Sequence, residues 1–231
     1  MYRINQLTGF NRRRGGGGAG DPNFSNVSLL IPADSNLDDV SNNGFSATLI
    51  GSAAVDTGTQ KWGAGSADYT VSGRCISFAD DAALRMGTDD FTIEMWVQPD
   101  ISGSVKCVYS KGVNGTNDML FTVSTSEVVF RANGTNDLSA TGLSLSTSAF
   151  THIAFEREGS TRRVLIDGSQ AATDTLSFNH SSTAVTYIGS VTSVSVPNRY
   201  QGHVDDFRIT KGLVRYGAGS YTVPTGPFPT S

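Results

Sequence analysis

The stretch Phe91-Thr92-Ile93-Glu94-Met95-Trp96-Val97 decides the fold. Phe91, Ile93, Met95 and Val97 alternate with Thr92, Glu94 and Trp96, a period of two that sends the apolar set to one face of a strand. Working outward, similar runs are Leu120-Phe121-Thr122-Val123, Val128-Val129-Phe130-Arg131, Ile153-Ala154-Phe155, Val164-Leu165-Ile166, Val185-Thr186-Tyr187-Ile188 and Val204 to Ile209. Between them stand turn pairs, Asn114-Gly115, Asn133-Gly134 and Asp167-Gly168, whose residues tolerate positive φ and close tight hairpins. No window sustains helical spacing over three turns. Hydrophobic residues at 38%, charged residues at only 16% and 26 glycines suit many short strands and turns rather than long amphipathic helices. The expectation is an all-β chain of two stacked antiparallel sheets in one domain, a size that sandwiches reach with a single core.

The amino terminus reads differently. Arg12-Arg13-Arg14 is followed by Gly15-Gly16-Gly17-Gly18-Ala19-Gly20, a composition without apolar periodicity that makes a tether. Before it, Tyr2, Ile4, Leu7 and Phe10 interleave with polar residues as candidate apolar anchors. Residues 1–24 are therefore taken as a basic, Gly-rich arm and residues 25–231 as the domain. Four arginines and no acid in residues 1–20, against a net charge of −4, leave −8 on the rest. A body of that sign argues against a nucleic-acid surface on the globular part, because phosphate binding rests on Lys and Arg. No apolar run reaches the roughly 18–20 residues of a membrane span. Met1 to Gly20 lacks the apolar centre of a secretory signal, so the expectation is synthesis in a cytoplasm without ordinary export. Cys75 and Cys107 have neither a CxxC partner nor a histidine at metal-ligand spacing, and free thiols are favoured over a disulfide.

Several segments together resemble the laminin-G-like, concanavalin-A-like jelly-roll domains. They are Lys61-Trp62-Gly63-Ala64-Gly65-Ser66-Ala67, Phe91 to Val97, Ser110-Lys111-Gly112, Thr151 to Arg157, Leu165-Ile166-Asp167-Gly168 and Tyr187-Ile188-Gly189. The close, Tyr200-Gln201-Gly202-His203-Val204-Asp205-Asp206-Phe207-Arg208-Ile209-Thr210-Lys211-Gly212, then Val214-Arg215-Tyr216 and Pro227-Phe228-Pro229, is similar to that of the subgroup found in bacteriophage structural proteins. The resemblance implies a concanavalin A-like jelly-roll sandwich carried on a virion tail, fibre or head surface. The segment Tyr69 to Phe78, with Thr70-Val71-Ser72-Gly73-Arg74-Cys75, departs from the small Asp-containing turn common in that subgroup.

Catalysis finds little purchase. A glycosidase needs two carboxylates about 5–10 Å apart across the scissile bond, and the Glu-x-Asp-x-x-Glu strand motif of hydrolases with this fold is absent. Glu94 is alone in its strand, while Glu156 and Glu158 beside Arg157 read as a solvated strand end. His152 and His203 stand without a second ligand and read as structural. Asp205, by alternation, shares the core face of Phe207 and Ile209, where a carboxylate is costly unless paired or metal-bound. The resemblance implies a structural Ca²⁺ at this place, with Asp34 as the second candidate ligand; a salt bridge to Arg208 or Lys211, or a hydrogen-bonded turn, is the alternative. The fold family also implies glycan binding, and Asn114, Asn117 and Asp118, with Asn133, Asn136 and Asp137, are the candidate polar contacts in two loops.

The resulting expectation is a non-enzymatic virion structural protein. Its arm, through Arg3, Phe10, Arg12, Arg13 and Arg14, docks on capsid or tail proteins, and its domain faces host or environmental glycans. Other copies of the chain are further candidate partners. A free carbohydrate-binding adhesion module ranks second and a glycoside hydrolase third.

Overall fold

The structure, a computed structural model, describes residues 20–100, 106–112, 119–191 and 199–231. The anchors Arg3, Phe10, Arg12, Arg13 and Arg14, and the loop residues Asn114, Asn117 and Asp118, lie outside the described residues. The strands are β1 (Val27–Ile31), β2 (Thr48–Ile50), β3 (Ala54–Asp56), β4 (Ser66–Asp68), β5 (Cys75–Phe78), β6 (Phe91–Pro99), β7 (Lys106–Lys111) and β8 (Met119–Val123). They continue as β9 (Glu127–Ala132), β10 (Asn136–Thr141), β11 (Thr151–Glu158), β12 (Thr161–Ile166), β13 (Ser169–Thr175), β14 (Thr186–Ile188) and β15 (Gly202–Lys211). One sheet runs β13-β12-β11-β6-β15-β4-β3, with β1 also on β15; the other runs β10-β9-β8-β7-β14-β5-β2. All the pairings are antiparallel. We call these the first and second sheets.

The apolar face read from β6 is the core face. Phe91, Ile93, Met95 and Val97 are fully buried and meet Tyr109, Phe121, Phe130 and Ile188 of the second sheet in one cluster. Phe121 of the second sheet stacks on Phe155 of the first, ring centroids 3.9 Å apart, a ring pair worth about 0.5–1.5 kcal/mol beyond its buried area. Asp167 and Gly168 take φ of 40° and 89° between Ile166 and Ser169, which pair across the hairpin. Asn133 and Gly134 likewise take positive φ, 48° and 75°. Both turns therefore form as their residue types require.

One departure from simple alternation rearranges the polar chemistry. In β15, Asp205 pairs with Trp96 but Arg208 pairs with Glu94, so three steps on β15 face two on β6. This is a β-bulge, and Asp206 at its centre has φ 46°. An extra residue moves everything beyond it to the opposite face. Val204, Phe207 and Ile209 all reach the core, whereas Asp205 joins Trp96 on the outer face. The expectation that Asp205 shares a face with Phe207 and Ile209 is corrected by that bulge.

The centre of the outer face of the first sheet is not solvated. The chain after β15 runs back across it, and Glu94, His152 and Glu156 are each 0% exposed. Glu156 is thus no solvated strand end: it accepts from Thr92 Oγ1 at 2.9 Å and from the backbone N–H groups of Arg215, Tyr216 and Gly217 at 2.9–3.1 Å. Only Glu158 of that pair is exposed.

Candidate functional site

With the centre of the first sheet covered, the outer face of the second sheet is open over its β8, β9 and β10 strands, while Ser110 and Cys107 of β7 are buried there. The register lines up Tyr187 of β14, Ser110 of β7, Leu120 of β8, Arg131 of β9 and Asp137 of β10 in a single cross-strand row. Four strand spacings make that row about 19 Å long. Cys107, Thr122, Val129 and Ser139 form the next row. Between the rows lies a groove of about 240 Å³ whose walls include Leu120, Thr122, Glu127, Val129, Arg131 and Asp137. Leu120 and Val129 make an apolar floor at 7% and 5% exposure. Arg131 Nε and Nη2 donate to Asp137 Oδ1 and Oδ2 at 2.6 and 2.8 Å, a bidentate fork that leaves both side chains a third or more in solvent. An apolar floor with a planar donor and acceptor pair beside it presents C–H contact and O–H recognition together.

Of the loop residues expected to contact ligand, Asp137 lines this groove. Asn136 pairs with core-facing Ala132 and so points away from the groove, and Asn133 sits in the turn. Lys111, Met119, Ala132 and Asn136 are level with one another, so the strand ends flanking residues 113–118 stand at the same end of the sheet as the β9–β10 turn. Arg131 and Tyr187 were quoted in the sequence only as strand members. Their shared face emerges from register across four strands, and Arg131 was discoverable from its spacing of six to Asp137 across a predicted hairpin.

The covered face holds a satisfied ion network. Glu94 Oε1 accepts from Arg208 Nε and Nη2 at 2.9 and 2.7 Å. Its Oε2 takes His152 Nε2 at 3.2 Å and the Tyr216 hydroxyl. Burial pushes the Glu94 carboxyl up, but Arg208, with His152 and Tyr216, overrides it and holds it down at about 2. Glu156 is raised, because burial outweighs its N–H and hydroxyl donors. His152 Nδ1 meets the Tyr221 hydroxyl at 2.7 Å, and Arg208 lies 3.9 Å from the Phe228 ring. His203 contacts Asp56 at 3.1 Å. Both histidines are held in structural contacts, as read from the sequence.

Asp205 and Asp34 do converge, though on backbone. Asp205 Oδ2 accepts from Lys61 N and Trp62 N at 2.8 and 3.0 Å and Oδ1 from Asp206 N at 2.9 Å. Asp34 Oδ1 accepts from Ala64 N at 2.9 Å, and a Cβ at Gly63, whose φ is 64°, would stand 1.7 Å from that oxygen. The two acids clamp opposite ends of the 61–65 turn, which lays Lys61 Nζ 4.1 Å from the Trp96 ring. A donor set of N–H groups beside an ammonium has the wrong sign for a cation. Among the described residues no group of three or more His, Cys, Asp or Glu is arranged to hold a metal. The residues do not fit the expected Ca²⁺, and the hydrogen-bonded turn replaces it. Cys75 and Cys107 are free and buried; β14 lies between their strands, a separation of roughly 10 Å against the about 7 Å limit of a disulfide.

The sequence that builds these two sheets matches a family profile over residues 70–214, described as the concanavalin A-like lectin/glucanases superfamily. The chain belongs to that superfamily. No curated protein matches the sequence. Among solved structures, the superfamily member resembles the binding domain of Paraclostridial Mosquitocidal Protein 1 at TM-score 0.67 and 12% identity, covering 83% of this chain and 50% of that one. It resembles domain 4 of AbnA, an extracellular arabinanase from Geobacillus stearothermophilus, in complex with arabinotriose, at TM-score 0.66 and 15% identity, covering 82% and 94%. The binding domain of Botulinum neurotoxin DC, in complex with rat synaptotagmin II, matches at TM-score 0.63 and 12% identity, covering 83% and 50%. The lectin-like chain thus spans about half the length of the two toxin domains, and at these identities the likeness is one of fold.

Proposed function

We propose that this lectin-like chain is a non-enzymatic module of a virion surface that contacts glycans through the outer face of its second sheet and docks through its arm. The open groove carrying the Arg131–Asp137 fork is the observation that carries the glycan part. It combines an apolar floor with polar groups fixed by strands on both sides, whereas Glu94 and Glu156 of the first sheet are buried and engaged by protein donors. Two of the relatives in fold are described as binding domains, and a third is a domain of an arabinanase in complex with arabinotriose, which supports carbohydrate as the ligand class. The closing motif and the basic arm support the virion setting. The described chain begins at Gly20 and Asp21, and Asp21 bonds Arg208 on the outer face of the first sheet. Asp21 and the groove therefore stand on opposite sides of the sandwich, which supports an anchor behind and a contact face in front.

Titration of the purified protein with neutral oligosaccharides, followed by NMR, tests the reading. Arg131→Ala is expected to weaken binding at least tenfold, because it removes the donor half of a bidentate pair. Loss of binding in Glu94→Gln with Arg131→Ala unaffected would overturn the placement of the site. Deleting residues 1–19 is expected to leave that affinity unchanged while abolishing co-purification with particles. Retained incorporation would remove the docking role, and absence from particles altogether would favour a free adhesion module.

A further inference from the structure

Four large apolar side chains stand exposed among the described residues, Val40, Leu49, Val71 and Val185, and two of them share one trench. Val40 lines a cavity of about 430 Å³ with Pro32, Asp34, Asn36 and Thr230. Leu49, 55% exposed, lines a second of about 360 Å³ with Leu37, Asp38, Ala53 and Val55. Ser35 and Asn36 line both, so the two cavities adjoin, and together they are called the trench. The trench runs from the carboxy terminus to the edge strands β2 and β3.

The arm starts at the head of that trench. Asp21 N donates to Ser231 O at 2.8 Å, one residue from Thr230 in the trench wall. The arm carries Ile4, Leu7 and Phe10 at a spacing of three, then Arg12, Arg13 and Arg14, with no acid. The trench offers the complement, exposed Leu49 with half-buried Val55 and the edge of buried Leu37 at its far end and the carboxylates of Asp34 and Asp38 along the way. The ten residues from Phe10 to Gly20 span up to about 33 Å, well beyond the radius of gyration of about 17 Å expected for a domain of this length. A tether of that length holds the arm at millimolar effective concentration over its own trench.

We propose that residues 2–14 fold back into this trench in the same molecule, with the apolar anchors against Leu37, Leu49 and Val55 and the arginines along Asp34 and Asp38. The arm's anchors are then sheltered until an assembly partner displaces them. This inference goes beyond the functional reading above, because it concerns the free protein and does not involve the glycan groove.

The full chain tests it in two ways. A photo-reactive benzoylphenylalanine replacing Phe10 is expected to cross-link to the peptides carrying Leu37 or Leu49, in material running at monomer mass. Trypsin is expected to cut after Arg12, Arg13 and Arg14 at least fivefold faster in Leu49→Asp than in the wild type; Leu49 is exposed, so the variant should melt as the wild type does. The same cross-links at dimer mass would place the arm on a second copy and overturn the proposal. So would cross-links elsewhere or none, or equal cutting rates in a variant that melts normally.

Discussion

Asp205 shows what a single residue's surroundings decide. Its carboxylate faces three backbone N–H groups, and Asp34 holds the far end of the same turn. Charge-assisted bonds of this kind are individually stronger than neutral ones, and orphaning buried donors costs about 1–3 kcal/mol apiece. Asp205→Ala should therefore destabilise the fold by roughly 3 kcal/mol, with the same loss in chelator as in millimolar calcium. Wild-type melting temperature should be insensitive to chelator, and a drop confined to the wild type would restore a metal to this place. That Asp205 needed a partner was legible in the sequence, because the acid stood in an apolar strand. Its partner was not, because a bulge carries no pattern of its own: Asp206 at positive φ looks like any other residue until the strand is paired with β6.

At the scale of elements, the segment after β15 is what closes the first sheet. Tyr216 and Tyr221 reach Glu94 and His152, and Phe228 covers Arg208. Glu94 sits at about 2 in the fold against an ordinary 4.5. A depressed carboxyl adds stability that is present above its unfolded value and lost as pH falls from about 4.5 through 2. Glu156 is raised and works in the other sense, adding stability only below its unfolded value and losing it as pH rises through its folded one. Glu94→Gln should thus cost on the order of 3 kcal/mol at pH 7. Denaturant melts should show the gap narrowing by about half or more at pH 3. A gap independent of pH would mean that packing, rather than the Glu94 charge, fastens the segment. Periodicity exposed β6, β8, β9, β11, β12 and β15, whose apolar residues alternate over several positions. It said nothing of what lies over an outer face, and Glu156 looked solvent-facing because the covering residues follow the last periodic strand.

The whole molecule has two unlike outer faces, and this asymmetry sets how strongly it can bind. The centre of the first sheet is covered by its own chain, while the second keeps a groove of about 240 Å³, below the roughly 300–1,000 Å³ of pockets that enclose a ligand. The loops at 133–137 pointed toward this end of the sheet, yet the face itself depended on lining up Tyr187, Leu120, Arg131 and Asp137 from four strands, a register that no single run displays. A shallow groove with one charged fork leaves most of a bound sugar in water, so little apolar area is removed and few hydrogen bonds form in a dry setting. One copy should accordingly bind oligosaccharide with a Kd of about 0.1–10 mM. If many copies are anchored on one particle, as proposed, later contacts become intramolecular ones, which raises avidity by about 10²–10⁴ without any new contact. The arm-deleted protein titrated alone should therefore sit in the millimolar range, while the same protein coupled densely to beads through its amino terminus should retain a glycan-coated surface at least a hundredfold better. Coupling through the amino terminus matters, because it leaves from the first sheet and keeps the groove outward. Sub-micromolar affinity from a single copy would require an enclosed site, and the shallow groove between Leu120 and Asp137 would then not be the place of binding.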